Sequence, residues 1–107
     1  VLQHRLGTLW SMVERTRRLI YYAALEGDAG GANALPALCS AKAEVAQCAV
    51  EVTNEAMTLT GGINYRDGSR LERLLRDARA SHVMAPTTDI LRTWTGRALL
   101  GQPLLGE

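Results

Sequence analysis

Leu2, Leu6, Leu9, Val13, Thr16, Ile20 and Ala23 recur in alternating steps of four and three. That spacing draws one stripe along an α-helix, so residues 2–26 are expected to form a long amphipathic helix facing a partner. Glu14, Arg15, Arg17 and Arg18 lie mostly off the stripe. Gly27-Asp28-Ala29-Gly30-Gly31 is expected to end the helix, because glycine accepts the left-handed backbone of a C-cap. A second helix is expected from the Asn33 to Pro36 region to about Thr60. Asn33 can cap it, and proline is tolerated in a first turn. Leu38, Ala41, Val45, Cys48, Val52, Ala56 and Leu59 mark its apolar face, while Ala41, Ala46, Ala49 and Ala56 suit close helix–helix approach.

Gly61-Gly62 closes the second helix and leads into an irregular stretch to Gly68. Ser69-Arg70-Leu71-Glu72 then reads as a capping box. The third helix turns Leu71, Leu74, Leu75 and Ala78 inward and stops before Pro86, since proline disfavours helical geometry in the residue ahead of it. Thr87-Thr88-Asp89 opens the fourth helix: hydroxyls and a carboxylate suit the positive end, where backbone N–H groups lack partners. Ile90, Leu91, Trp94, Ala98 and Leu99 form its apolar side, and Gly101-Gln102-Pro103 ends it. No strand-period alternation occurs. The expectation is an all-α, up-down bundle of two long and two shorter helices.

Composition narrows the chemistry. A chain of 107 residues is one small domain, 47% hydrophobic and 21% charged, which excludes a disordered polymer. Phe is absent, so the core rests on Leu, Val, Ala, Met and Trp. No apolar run approaches the roughly 20 residues of a membrane span. The first residue is Val1, and no signal segment follows, so the chain is expected to be cut from something longer.

Eleven of the 12 basic residues are Arg, and Lys42 is the only Lys. Arg66, Arg70, Arg73, Arg76, Arg79, Arg92 and Arg97 cluster in one stretch. They alternate with Asp67, Glu72, Asp77 and Asp89, as on a solvated helix face. A net charge of +1 gives no electrostatic reason to expect nucleic acid.

Cys39 and Cys48, nine positions apart on one helix, would be about 13 Å apart along its axis. A disulfide between them is excluded, and they read as small core residues in the cytoplasm or another reducing compartment. His4 and His82 have no carboxylate or second histidine at ligand spacing, so both read as surface or helix-end residues and no metal is expected. Ser11, Ser40, Ser69 and Ser81 lack a nucleophile-elbow context. Two places could receive an anion or a polar ligand edge: the helix start at Thr87, Thr88 and Asp89, and the glycine pair. Asp89 argues against a bare phosphate at the first.

Several runs in order resemble a known family. Ala56-Met57-Thr58-Leu59-Thr60-Gly61-Gly62-Ile63-Asn64-Tyr65 resembles the acyl-CoA dehydrogenase pattern Ala-x-Gln-x-x-Gly-Gly-x-Gly-Tyr. Leu71-Glu72-Arg73-Leu74-Leu75-Arg76-Asp77-Ala78-Arg79 resembles the family's Glu-x-x-x-Arg-Asp-Ala-Arg/Lys helix. Ala85-Pro86-Thr87-Thr88-Asp89-Ile90-Leu91-Arg92 stands where that family has Glu/Ala-Gly-Thr-x-Glu/Gln-Ile-x-Arg. Gly96-Arg97-Ala98-Leu99-Leu100-Gly101 resembles its closing helix, and Gln3-His4-Arg5-Leu6 and Lys42-Ala43 also fit.

The resemblance implies that residues 1–107 are one helical domain, most of the C-terminal four-helix domain of a longer flavoenzyme. It implies FAD as cofactor and α,β-desaturation of an acyl-CoA thioester. Partners would be a neighbouring subunit, in a homo- or hetero-dimer or tetramer, and electron-transfer flavoprotein or a similar acceptor. It carries cofactor contacts to Thr58, Gly61, Gly62, Thr87 and Asp89, and a place beside the thioester to Met84 and Ala85. Where the family usually holds its catalytic glutamate, this chain has Ala85, so no catalytic residue is assigned to it. Alanine cannot take a proton, and the base would come from an upstream helix, as in the branch similar to isovaleryl-CoA dehydrogenase, or from a partner chain. A member that has lost the activity is the third account. Thr58 replaces the family's Gln, Asn64 its third glycine, and Pro86 the glycine of the flavin-side turn. An acyl-CoA oxidase and a silent or DNA-binding paralogue are the alternatives.

Overall fold

The computed structural model describes residues 1–61 and 69–105. Four helices follow one another: α1 (Leu2–Ala29), α2 (Ala34–Thr60), α3 (Arg70–Val83) and α4 (Thr88–Leu99). There is no strand among the described residues. The all-α expectation of two long and two shorter helices is met. At 1.5 Å per residue, α1 alone is about 42 Å long, which accounts for a molecule of 48 × 26 × 21 Å.

Helix α2 is the centre: it packs against α1, α3 and α4. Its sequence allows this because small residues point in more than one direction. Ala37 and Ala41 meet Ala23 and Leu19 of α1, while Cys39 and Ala43 meet Leu91 and Trp94 of α4. Ala43 is fully buried, at 0% exposure. A single apolar stripe was expected on α2; the two clusters show a helix buried on two sides. Met57, 1% exposed, is the largest side chain so enclosed.

The ends follow the sequence signals, with one shift. Helix α1 runs through Gly27 to Ala29 and stops at Gly30, whose φ of 69° is left-handed. Gly27 lies within the helix and packs closely there: a Cβ would lie 3.3 Å from the Leu38 side chain. Asn33 precedes α2 but its side chain makes no capping bond. Ser69 Oγ accepts the Glu72 N–H at 3.1 Å, so the expected cap of α3 is present. Thr87 Oγ1 caps α4 by accepting the Ile90 N–H at 3.4 Å.

The expected inward faces are only partly inward. Leu2, Leu6 and Ile20 of α1, Leu38 of α2, Leu74 of α3, and Ile90 and Leu99 of α4 are all exposed. Four helices of which one is central leave the outer faces of the other three uncovered. The accessible surface is 7337 Å², against about 5,800 Å² for a folded monomer of this mass.

Candidate functional site

The residues singled out by sequence fall at opposite ends of α2. At one end is the turn between α3 and α4. Helix α3 ends at Val83, Met84 is its C-cap with extended backbone, and the Ala85–Pro86 bond is cis. Met84 (62% exposed) and Ala85 face solvent. Asp89 is exposed and Thr87 half-buried. The N–H groups of Thr88 and Asp89 lie in the first turn of α4, where a helix leaves its donors without intrahelical acceptors. Met84, Ala85, Thr87 and Asp89 thus share this turn.

Three contacts fix this turn. His82 Nδ1 and Thr88 Oγ1 form a hydrogen bond of 2.8 Å across it. Lys42, from α2, donates through Nζ to the Pro86 carbonyl at 2.7 Å and to the Met84 carbonyl at 3.3 Å. Arg92 of α4 pairs with Glu44 of α2 and donates to Gln47 Oε1 at 3.0 Å. His82 is the helix-end residue the sequence suggested, with a structural partner that spacing alone did not reveal. In the sequence Lys42 stood out as the one lysine and, with Ala43, as a position that fits the family pattern, but without a role. The signal that could have found its role is the acceptor-rich run Met84-Ala85-Pro86, in which proline contributes no N–H.

At the other end of α2 is Thr58, exposed, its hydroxyl donating to the Asn54 carbonyl at 3.3 Å. Gly61 follows the helix with φ 74° and ψ −167°, a backbone conformation essentially confined to glycine. Among the described residues no atom lies within 4 Å of a Cβ built there, so the demand for glycine comes from the backbone. Gly62, Asn64 and Arg66 lie outside the described residues. From Lys42 to Thr60 the helix climbs about 27 Å. The Thr58–Gly61 end and the Met84–Asp89 turn are therefore separate surfaces, not one pocket.

The basic stretch is partly spent inside the molecule. Arg76 Nε pairs with Glu72 at 2.8 Å, Arg92 with Glu44, and Arg97 donates to the Leu104 carbonyl at 2.7 Å. The two cysteines are free and both lie on α2. Burial pushes the Cys39 thiol above its ordinary pKa of 9.0. Among the described residues no group of three or more His, Cys, Asp or Glu side chains could hold a metal ion. None of the described helices is long and apolar enough to cross a membrane.

A family model described as acyl-CoA dehydrogenase, C-terminal domain, matches residues 1–100. A 3-sulfinopropanoyl-CoA desulfinase of Paraburkholderia xenovorans is 34% identical over 96% of this chain and 26% of its own length. A probable acyl-CoA dehydrogenase of Mycobacterium leprae is 31% identical over 92% of this chain and 25% of its own. A cyclohex-1-ene-1-carbonyl-CoA dehydrogenase of Geobacter metallireducens is 33% identical over 92% and 26%. The chain thus spans about a quarter of the length of these relatives. No solved structure matches it.

Proposed function

The chain belongs to the acyl-CoA dehydrogenase family, and on that premise we propose that it is the C-terminal helical domain of an FAD-dependent enzyme acting on a CoA thioester. One observation carries the substrate class: the three relatives differ in chemistry by name, but each name is that of an enzyme for a CoA thioester.

The residues present fit a flavin better than a bare phosphate. The free N–H groups opening α4 suit a polar ring edge, while the Asp89 carboxylate in the same turn opposes a dianion. Gly61, which has no side chain, lets another backbone or ligand come close. In this reading Thr58, Gly61 and Gly62 meet the adenosine-diphosphate part of an FAD held by a neighbouring subunit, and Thr87 and Asp89 lie by the flavin. Met84 and Ala85 flank the thioester. Two surfaces about 27 Å apart along one helix suit an elongated cofactor, or two copies of it, better than one compact ligand.

When bound, FAD supplies a hydride acceptor for the β carbon. Ala85 has no group to take the α proton, so this chain positions ligands and the proton acceptor stands elsewhere. The excess surface and exposed apolar helix faces support a domain completed by upstream parts or a second subunit. The acceptor would be electron-transfer flavoprotein or a similar protein, and the compartment a reducing one.

The test is anaerobic titration of the full-length, FAD-loaded enzyme with acyl-CoAs. Loss of flavin absorbance supports dehydrogenation, and rapid recovery in air selects an oxidase. Bound FAD that no acyl-CoA bleaches, even with candidate partner chains added, refutes dehydrogenation. A second reading, desulfination of a CoA thioester without net oxidation, is favoured by the desulfinase relative together with Ala85: the C–S bond breaks, sulfur leaves as SO2, the carbon takes a proton, and no α proton need be removed. It predicts product release while the flavin stays oxidised.

A further inference from the structure

Helix α3 ends in a segment with more acceptors than donors. The last carbonyls of any helix lack intrahelical partners, and Pro86 has no N–H to offer. The Met84 N–H is already used, donating to the Ala80 carbonyl at 3.1 Å. Left to water, the Met84 and Pro86 carbonyls would set no fixed path for the four residues between the helices.

Lys42 supplies what the segment lacks. An ammonium has three donors and no acceptor, and two of them meet these carbonyls at 3.3 and 2.7 Å. The cation also sits at the negative end of α3, where its charge is favoured. Lys42 is exposed and borders an almost wholly apolar recess of about 350 Å³ together with Ile20, Ala41, Val45, Ala46 and Ser81. An aliphatic stem along apolar surface with its charged head held outward is the usual habit of lysine. The residue one step on, Ala43, is fully buried against α4, so the stem leaves a rigid stretch of helix.

We propose that Lys42 is a positioning residue for CoA-thioester binding: it clasps the Met84 and Pro86 carbonyls to α2 and so sets where Met84 and Ala85 present themselves. The inference rests on the reading of this turn as the thioester side. Lys42 does not itself touch the reacting atoms in this proposal; it acts through the backbone it holds.

The test compares Lys42→Met, which keeps an apolar stem and removes the donors, with Lys42→Arg, which restores donors. Hydrogen exchange of the chain is read by peptide, and steady-state kinetics are measured in the full-length enzyme. In Lys42→Met, the hydrogen-bonded amides of Met84, Ile90 and Leu91 are expected to exchange about tenfold faster, with those at 43–57 unchanged. KM for the acyl-CoA should rise about tenfold, kcat should stay within about twofold, and Lys42→Arg should recover most of both effects. Unchanged exchange at Met84, Ile90 and Leu91 overturns the clasp. Faster exchange with an unchanged KM overturns the binding role. A wild-type enzyme that turns over no acyl-CoA overturns the site reading and the binding role together, while the exchange result still decides the clasp.

Discussion

Replacing Leu91 by Ala should detach α4 from the rest of the molecule. Leu91 is 3% exposed and is the buried residue of this 12-residue helix. It packs with Cys39 and Ala43 of α2, and Trp94 closes the cluster from the next turn. The substitution removes three buried carbon atoms from a cluster with Cys39, Ala43 and Trp94, and with side chains as small as Ala43 and Cys39 opposite, little is left to fill the gap. Transfer and cavity effects together put the loss at about 3 kcal/mol. A domain of this length is stable by roughly 5 kcal/mol at the low end of the usual range, and the large exposed surface places it there. Urea unfolding followed by circular dichroism, with a slope of about 1.5 kcal/mol per molar, should then show the midpoint falling by about 2 M. Leu99→Ala is the control: Leu99 is on the same helix but 71% exposed, and its change should stay within about 0.5 kcal/mol. A shift under about 0.5 M for Leu91→Ala, at unchanged slope, would show that this cluster does not hold α4.

Thr87→Ala removes the acceptor for the Ile90 N–H. It should cost up to about 1 kcal/mol of stability by chemical denaturation, with Thr87→Ser recovering most of it. Cys48 is only half-buried, whereas Cys39 is buried. Alkylation followed by mass spectrometry should therefore label Cys48 first, and equal rates would contradict the packing. The Cys39 thiol ionises later folded than unfolded, so the unfolded chain loses this proton first as pH rises. The stability this residue supports is complete below its ordinary pKa of 9.0 and declines above it. Denaturation midpoints between pH 8 and 10 in the wild type and in Cys39→Ala separate this from other titrations.

What was legible in the sequence was mainly punctuation and period. Ser69, Pro86, Thr87 and the glycines after each long helix carry their backbone consequences locally, so the helix limits could be read within a few residues. Gly27 was misleading because its reason for being glycine is tertiary: the Leu38 side chain lies against it. The apolar periodicity of α2 suggested one face, since alanine scores weakly in any stripe. Yet Ala37, Ala41, Ala43 and Ala46 are what let α2 be approached from several sides. Exposed leucines on the outer helices could not be foreseen, because which face is covered depends on how many helices there are to cover it. At the candidate site, Thr87 and Asp89 were found through helix-start chemistry. The role of Lys42 was not, because its partners are backbone carbonyls about 42 residues away, and the one local sign of them, a proline without an N–H, does not say which donor comes to meet it.

The central helix also acts as a measure. Its two ends carry the two candidate surfaces, and between them it offers no loop in which a change of length could be absorbed. One residue inserted between Lys42 and Thr60 would lengthen that span by about 1.5 Å and rotate one end against the other by about 100°. Such an insertion would turn Gly61 away from its present bearing relative to the α3–α4 turn, even with every side chain retained. Substitution can adjust what each end touches, but only the residue count of α2 sets how far apart, and in which directions, they reach.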